Sequence, residues 1–319
     1  MKNDISAEQL ENMRKKAKKM EKIVIVFSIV ALLLYLSPFY IAMMEYIAMI
    51  QEKGTSVILE EKMSALFLVI LVIVAVILAI ATFVFLWLVV VRHSYDKFNT
   101  AFKSRYVLQI IGAIQGFAQL QYVPNGGFTW DDVRNAAAVD CGEQRYYDSE
   151  DLLVGTYENV RFQISDVTTY VMVRINKRKH LEERFHGQML CLEQFDDRKK
   201  SNGHLQIFEK KSMSHMIGWK AEHEIHTENE TFNSRFSIYA TDEHNAYYIL
   251  TPQRMEKIMR FADAIQGQIS VVFRDQKLFV AVSRDSMFDA NIDQPVADQT
   301  AKITEDAKFI QKAKEILVE

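Results

Sequence analysis

Two long segments without a charged residue constrain this chain more than any other feature. Ile23–Met44 runs for 22 residues and Met63–Val91 for 29 residues without Asp, Glu, Lys or Arg. A helix rises about 1.5 Å per residue and the hydrocarbon core of a bilayer is about 30 Å thick, so either segment is long enough to cross it. The first segment is too long for the apolar part of a cleaved signal peptide, and no small-residue cleavage site follows it. We therefore predict two transmembrane helices, at residues 23–44 and 63–91.

The charges that flank these segments predict their orientation. Residues 1–22 contain seven Lys or Arg against four Asp or Glu, and further basic residues follow the second segment. The connecting residues 45–62 contain only Lys53 and Lys62 beside four glutamates. Because Lys and Arg are retained on the cytoplasmic side, we expect residues 1–22 to be a basic cytoplasmic tail and residues 45–62 a short external loop. The predicted location is the cell inner membrane, spanned twice, with both termini in the cytoplasm.

A helical connector is predicted between the membrane segments and a soluble domain. Apolar residues recur at helical spacing from Tyr95 to Leu120, which is typical of one amphipathic helix. Pro124 and the glycines after it end this helix, and Thr129 is the expected N-cap of a short helix that follows. We assign residues 92–140 to the connector.

Strand patterns dominate the residues that follow and predict an antiparallel sheet. Apolar and polar residues alternate at 160–165, which we expect to pair with 152–157 around a Glu158-Asn159 turn. A second hairpin is expected at 269–282, and a helix should begin after Thr251-Pro252. The predicted fold class is α+β: two N-terminal transmembrane helices, then a soluble domain with a mainly antiparallel sheet and flanking helices. Further strands are expected at Val167–Ile175, Gln188–Phe195, Leu205–Glu209 and Arg235–Ala240. We assign the soluble domain to residues 141–290, and a linker with an amphipathic helix to residues 291–319.

Four stretches carry a family resemblance: SEDLLVGTYENVRFQISDV (149–167), FHGQMLCLEQF (185–195), TFNSRFSIYATDEHNAYYILTPQRMEKI (231–258) and ISVVFRDQKLFVAV (269–282). They resemble an uncharacterised bacterial membrane-protein family, catalogued as domain-of-unknown-function family 3137. The resemblance also implies paired N-terminal spans ahead of the domain. The chain departs from the family at Phe185–Met189 and at Ala246-Tyr247-Tyr248, where a tyrosine replaces an arginine, so an anion-binding role for that arginine does not transfer. The family carries no established activity.

Four histidines are the strongest candidates for a metal site. His204, His215, His223 and His226 lie close together in the chain, and the last two have H-x-x-H spacing. A zinc site needs at least a third protein ligand and supporting hydrogen bonds around the ligands, which nearby glutamates would have to supply. The alternative is a solvated hairpin, and we favour it, so that no metal ligand and no cofactor is predicted.

The candidate nucleophiles and acids also have structural interpretations. A catalytic cysteine needs an activated thiolate; Cys191 alternates with leucines in a strand pattern and Cys141 lies in an expected loop, which makes Cys141 the more reactive candidate. The two cysteines offer no disulfide framework and suit a reducing compartment. Asp131 and Asp132 lie in the first turn of a predicted helix, where acids favour the helix dipole. We therefore predict no catalytic residue.

A non-enzymatic, membrane-anchored interaction or sensing module on the cytoplasmic side is the function that these patterns favour. The alternatives are an accessory or regulatory subunit of a membrane transport complex and a metal-dependent enzyme. The expected partners are the bilayer and a protein at the membrane. Residues 177–180, with Arg184, form a basic patch that could contact anionic lipid, or could be a solvated hairpin tip. Nucleic acid is not expected, because residues 92–319 contain 33 acidic and 29 basic residues.

Overall fold

The two uncharged segments form long helices. A computed structural model describes residues 5–53, 58–193, 203–210 and 218–317, in two compact units, Ser6–Ala101 and Phe102–Glu319 with the first five residues. In the first unit, α1 (Ala7–Lys53) is followed by α2 (Ile58–Leu86), a π-helical turn (Trp87–Val91) and α3 (Arg92–Ala101). Both helices are long and apolar enough to cross a membrane, and few side chains in their most apolar parts are buried.

The predicted external loop is shorter in the structure than the charge pattern suggested. Helix α1 continues past Pro38 to Lys53, and α2 already begins at Ile58, so most of residues 45–62 are helical. The isolated glutamates and lysines in this stretch are good helix formers and do not end a helix. Residues 54–57 lie outside the described residues. Within the first unit, the Tyr95 hydroxyl donates a hydrogen bond to the Glu21 carboxylate at 2.6 Å, which joins α3 to α1.

The second unit is built on one antiparallel sheet, as predicted. Nine strands of the described residues follow the order β1-β2-β3-β4-β9-β8-β5-β7-β6, and all of the neighbours pair antiparallel. The strands are β1 (Phe117–Val123), β2 (Asp148–Tyr157), β3 (Val160–Ile175), β4 (Arg178–Glu193), β5 (His204–Glu209), β6 (His223–Ile225), β7 (Phe236–Ala240), β8 (Gln268–Arg274) and β9 (Lys277–Ser283).

Helices connect and flank these strands. The helical segments of this unit are a π-helical segment (Phe102–Val107), α4 (Leu108–Ala113), α5 (Trp130–Ala136), a 3₁₀ turn (Gln144–Tyr146), α6 (Glu230–Arg235), α7 (Glu243–Ile249), α8 (Pro252–Ala264) and α9 (Val296–Leu317). Thr129 caps α5 as predicted, because its side chain accepts the Asp132 N–H in a capping box. Thr251 and Pro252 begin α8, also as predicted.

The predicted connector helix is confirmed as far as Ala113 and is wrong beyond it. Helix α4 ends at Ala113, and the chain then forms β1, which pairs with β2. Gly116 has a φ of 96°, a backbone conformation that favours glycine and lets the chain turn into the strand. The β1–β2 register shifts between Ala118 and Gln121, which is a bulge. Because the bulge adds one residue to the strand, Phe117 and Leu120 lie on the same face although they are three residues apart in the chain. A three-residue spacing of apolar residues is also typical of a helix.

Three tight hairpins organise the sheet. The predicted turn at Glu158-Asn159 is confirmed, the predicted hairpin at 269–282 turns at Asp275-Gln276, and a third turn lies at residues 176–177. Both central residues of each turn have positive φ, the geometry that matches the twist of the paired strands. Because the third turn starts it, β4 begins at Arg178, ten residues earlier than the predicted strand at 188–195. Residues 194 and 195 lie outside the described part.

The core extends beyond the predicted domain at 141–290. Val133 and Ala136 of α5 pack on one sheet face with Met189, Cys191 and others. Phe273 follows Val272, a member of this core, in β8, so its side chain lies on the other face of the sheet. There the Arg254 guanidinium of α8 lies 5.7 Å from the centre of the Phe273 ring. Residues before 141 and after 290 therefore belong to the same compact unit: β1 and α5 on one side of the predicted boundary, α9 on the other.

Candidate functional site

A buried lysine and several carboxylates form a polar cluster in the second unit. Lys103, in the π-helical segment, places its Nζ 2.5 Å from the Asp151 Oδ2 and 2.6 Å from the Asp289 Oδ1. The side chains of Lys103 and Asp151 are 9% and 2% exposed, whereas that of Asp289 is 55% exposed. We call this set, with Tyr122 and Asp166, the Lys103 cluster.

Asp151 is held by both strands at this edge of the sheet. Its second oxygen, Oδ1, accepts a short hydrogen bond from the Tyr122 hydroxyl of β1. Its backbone N–H donates to the Pro124 carbonyl at 2.9 Å, and its φ of 60° is one that Asp and Asn tolerate better than most residues. Asp151 lies where the β2–β3 register shifts, between Glu150 and Leu153. The irregular backbone therefore aims this carboxylate at Lys103.

Asp166 holds a proton within electrostatic reach of these groups. It is 5% exposed; Oδ2 accepts the Met287 N–H at 2.8 Å, and Oδ1 has no hydrogen-bond partner among the residues that the structure describes. Burial, together with the Asp151 and Asp289 charges, raises the pKa of Asp166 to about 8, although the Met287 N–H and Lys103 oppose the shift. At neutral pH the protonated form predominates.

The charges of the cluster keep Lys103 protonated. Burial alone disfavours the ammonium, but the hydrogen bonds and charges of Asp151 and Asp289 outweigh it and raise the pKa of Lys103. Burial and the hydrogen bond to Asp151 raise the pKa of Tyr122 as well, so its hydroxyl stays a donor. The cluster therefore contains a buried ion pair, Lys103 with Asp151, and a protonated carboxyl group, Asp166. Its residues connect the π-helical segment, β1, β2 and the loop after β9.

A second buried ion pair continues the polar interior toward α9. The Arg284 Nε donates to the Gln188 Oε1 at 2.6 Å, and its Nη2 lies 3.4 Å from the Asp306 Oδ1. Burial lowers the pKa of Arg284 against the opposing charges of Asp306 and Asp166. Burial also raises the pKa of Asp306. The C-terminal helix is thus tied to β4 and β9 by buried charged groups.

The described candidate histidines take part in separate local contacts. The His204 Nε2 lies 3.0 Å from the Asn135 carbonyl oxygen, and burial lowers the pKa of His204. The His223 Nδ1 lies 3.3 Å from the exposed carboxylate of Glu243. The backbone oxygen of His226 accepts a hydrogen bond from the Tyr247 hydroxyl, and His215 lies outside the described residues. In residues 5–53, 58–193, 203–210 and 218–317, no three His, Cys, Asp or Glu side chains are arranged to hold a metal ion.

Both thiols are held in the protonated form. Cys191 is buried in β4, as predicted, and burial raises its pKa to about 12. Burial and the neighbouring Asp140 also raise the pKa of Cys141, which makes it a poorer nucleophile than its loop position suggested. Asp132 serves the capping box of α5, accepting the Thr129 N–H at 2.9 Å. Neither thiol has the activated thiolate that nucleophilic catalysis requires.

The predicted basic patch lies on a two-stranded extension of the sheet. Strand β3 pairs with β2 only as far as Thr168, and β4 pairs with β9 only from Gln188. Residues 169–175 and 178–185 therefore have strand partners only in each other, and we call residues 169–185 the β-arm. Arg184 lies near its base, 3.1 Å from the Glu182 carboxylate, and so is separate from the tip.

The sequence match covers the later part of this unit. Residues 179–319 match the model of a family described as Protein of unknown function (DUF3137). This part of the chain is therefore similar to the DUF3137 family. The predicted resemblance is thereby confirmed over this segment, which starts in β4; the Ser149–Val167 stretch lies outside it. No curated protein and no solved structure matches the chain.

The Lys103 cluster lies mostly before the DUF3137 segment. Among its members, Asp289 alone falls within residues 179–319. Sequence reasoning singled out none of its residues as a site. The available signals were a lysine inside an aromatic helical stripe, beside Phe102 and Tyr106, and an aspartate, Asp166, inside a strand of apolar residues. A charged residue in such a position is seldom buried without a partner.

Proposed function

We propose that this chain is a membrane-anchored interaction or sensing module of the cell inner membrane, with both termini and the DUF3137 domain in the cytoplasm. The observation that carries the proposal is the pair of long helices whose apolar side chains are left uncovered, followed in the chain by a folded α+β unit. An exposed apolar surface of this length is stable in hydrocarbon and unstable in water. The basic flanks support the orientation.

A non-enzymatic role fits the chemistry of the folded unit. The thiols are protonated, the described histidines serve local contacts, and the charged groups of the Lys103 cluster are bound to one another. Buried ion pairs of this kind can fix one arrangement of the elements that they join. We propose that the Lys103 cluster fixes the π-helical segment, which follows α3 in the chain, to the sheet edge. A partner that binds the helices or the domain would then be sensed through the Lys103 cluster.

The experiment that tests anchoring is extraction of native membranes at alkaline pH. Full-length protein should remain with the membrane pellet and should dissolve only in detergent, because its helices are surrounded by lipid. Recovery of folded protein in the aqueous fraction would refute anchoring. A matched variant, with three exposed apolar residues of α1 (Val26, Leu33 and Leu34) changed to lysine, should fail to insert and serves as the control.

The partner-binding part of the proposal has its own test. Crosslinking in native membranes should capture the same protein with the intact chain and with a chimera in which an unrelated transmembrane hairpin replaces residues 23–91. Binding by the DUF3137 domain predicts that the chimera retains the partner. Loss of the crosslink in a chimera that still inserts would assign binding to the helices, as expected for a subunit of a transport complex.

A further inference from the structure

The tip of the β-arm concentrates positive charge. Arg174, Lys177, Arg178 and Lys179 lie within six consecutive residues that contain no acid, and all four are exposed. Among the described residues, none of the four forms an ion pair with a carboxylate. Arg174 and Lys179 are direct cross-strand partners, and like charges in this position destabilise a hairpin. The arm therefore carries an unfavourable charge arrangement that a bound anionic surface would relieve.

Apolar side chains accompany these cations. Ile175 is 54% exposed and Leu181 is 49% exposed. Ile175 pairs with Arg178 across the strands, whereas Leu181 pairs with Met172, so the two apolar residues lie on opposite faces of the arm. A solvated hairpin tip has no need of large apolar residues on both faces. Cations with apolar neighbours are typical of segments that lie at the headgroup boundary of a bilayer, where the aliphatic stems of Lys and Arg are also buried.

A lipid surface fits this arm better than a macromolecular anion. The proposed anchoring, on which this inference rests, keeps the domain beside a bilayer at a high effective concentration, so even weak docking is populated. The tip is a two-residue turn at Asn176-Lys177, and binding to a charged planar surface requires no pocket. The cytoplasmic leaflet attracts each nearby Lys or Arg by about 1 kcal/mol when it contains anionic lipid.

We propose that the β-arm is a membrane-docking hairpin, which binds the anionic headgroups of the leaflet that faces the domain through Arg174, Lys177, Arg178 and Lys179. Ile175 and Leu181 enter the headgroup region beside them. Docking gives the domain a second attachment to the membrane besides its helices. It also makes the position of the arm sensitive to the anionic lipid content of that leaflet and to ionic strength.

The test uses the full-length chain in lipid nanodiscs. An environment-sensitive fluorophore is attached at His180→Cys in a Cys141→Ser background, since Cys191 is buried. Discs of phosphatidylcholine alone are compared with discs containing about one third phosphatidylglycerol. We expect a blue shift only with phosphatidylglycerol, and its reversal in about 0.5 M salt. A fluorophore at Gln253→Cys, outside the arm, should not respond.

Substitutions decide which charges are responsible. The triple variant Lys177→Gln, Arg178→Gln and Lys179→Gln should lower the ratio of docked to undocked arm by roughly 100-fold, from about 1 kcal/mol for each charge. The matched control removes three exposed cations of α8 and α9, through Arg260→Gln, Lys302→Gln and Lys308→Gln, and should leave the ratio unchanged. An equal loss in both variants would refute the assignment to the arm.

The outcomes separate this inference from the proposed function. A chain that enters the discs but gives no response to phosphatidylglycerol would overturn docking by the arm and leave anchoring intact. A chain that does not enter the discs would overturn anchoring itself. If the arm ignores lipid while the triple variant loses a crosslinked acidic protein in native membranes, the arm binds protein and the lipid inference is wrong.

Discussion

Replacing Lys103 by methionine tests the buried cluster most sharply. Methionine has nearly the length of the lysine stem and can occupy the same space, so the change removes the charge and little packing. It leaves the Asp151 carboxylate, 2% exposed, without its cation. Removing one partner of a buried pair costs about 3–5 kcal/mol of unfolding free energy. We expect about 3 kcal/mol, the lower end, because the Tyr122 hydroxyl still donates to Asp151.

The assay is urea unfolding of the full-length protein in detergent, followed by the fluorescence of Trp130 and Trp219 in the second unit. The control variant combines Lys103→Met with Asp151→Asn. Asparagine tolerates the φ of 60° at this position and can accept the Tyr122 hydrogen bond, so the uncompensated charge disappears without backbone strain. The double variant should recover most of the lost stability.

Two results would refute the reasoning about Lys103. A loss below about 1 kcal/mol in the single variant would mean that water reaches Asp151 and that the pair is effectively a surface pair. A double variant no more stable than the single variant would mean that the loss came from packing and not from an unpaired charge. Asp289 should matter little in either case, since its exposed carboxylate remains hydrated.

The other predictions concern a proton and a buried arginine. Because the folded-state pKa of Asp166 is raised from its ordinary 3.8 to about 8, the folded state keeps a proton that the unfolded state releases, so stability should fall as the pH rises from 4 to 8. The slope from this group approaches about 1.4 kcal/mol per pH unit; Asp166→Asn should flatten it in urea titrations, and an unchanged slope would exclude Asp166 as its origin. The buried Arg254 guanidinium donates to the Ile249 and Ile316 carbonyls, at 2.6 and 3.1 Å. Arg254→Met should cost about 2–4 kcal/mol and speed hydrogen exchange at the end of α9, whereas unchanged exchange there would contradict this anchoring role.

Local sequence signals predicted the elements that are decided locally. The Glu158-Asn159 and Asp275-Gln276 turns each contain an Asn or Asp, which tolerates positive φ better than most residues, and alternation identified Phe162 and Ile164 of the first hairpin as buried. Thr129 and Thr251 marked helix starts because their side chains satisfy free backbone N–H groups. The long apolar helices needed no tertiary information.

Elements that depend on distant partners escaped prediction. The helical spacing of Phe117 and Leu120 results from a bulge, and the strand exists because β2 supplies its hydrogen bonds. The Lys103 cluster brings together Lys103, Asp151 and Asp289, which are far apart in the chain. Patterns within short sequence windows cannot predict contacts between such distant residues. The length of the β-arm likewise depends on where β2 and β9 stop pairing.

The central claim is that two helices cross the membrane and leave the domain inside the cell. Thiol labelling with a reagent that cannot cross the bilayer tests it directly, in intact cells carrying Ser56→Cys or His180→Cys in a Cys141→Ser background. We expect labelling of residue 56 from outside, and labelling of residue 180 only after the cells are opened. Labelling of residue 180 in intact cells, with residue 56 protected, would contradict the claim.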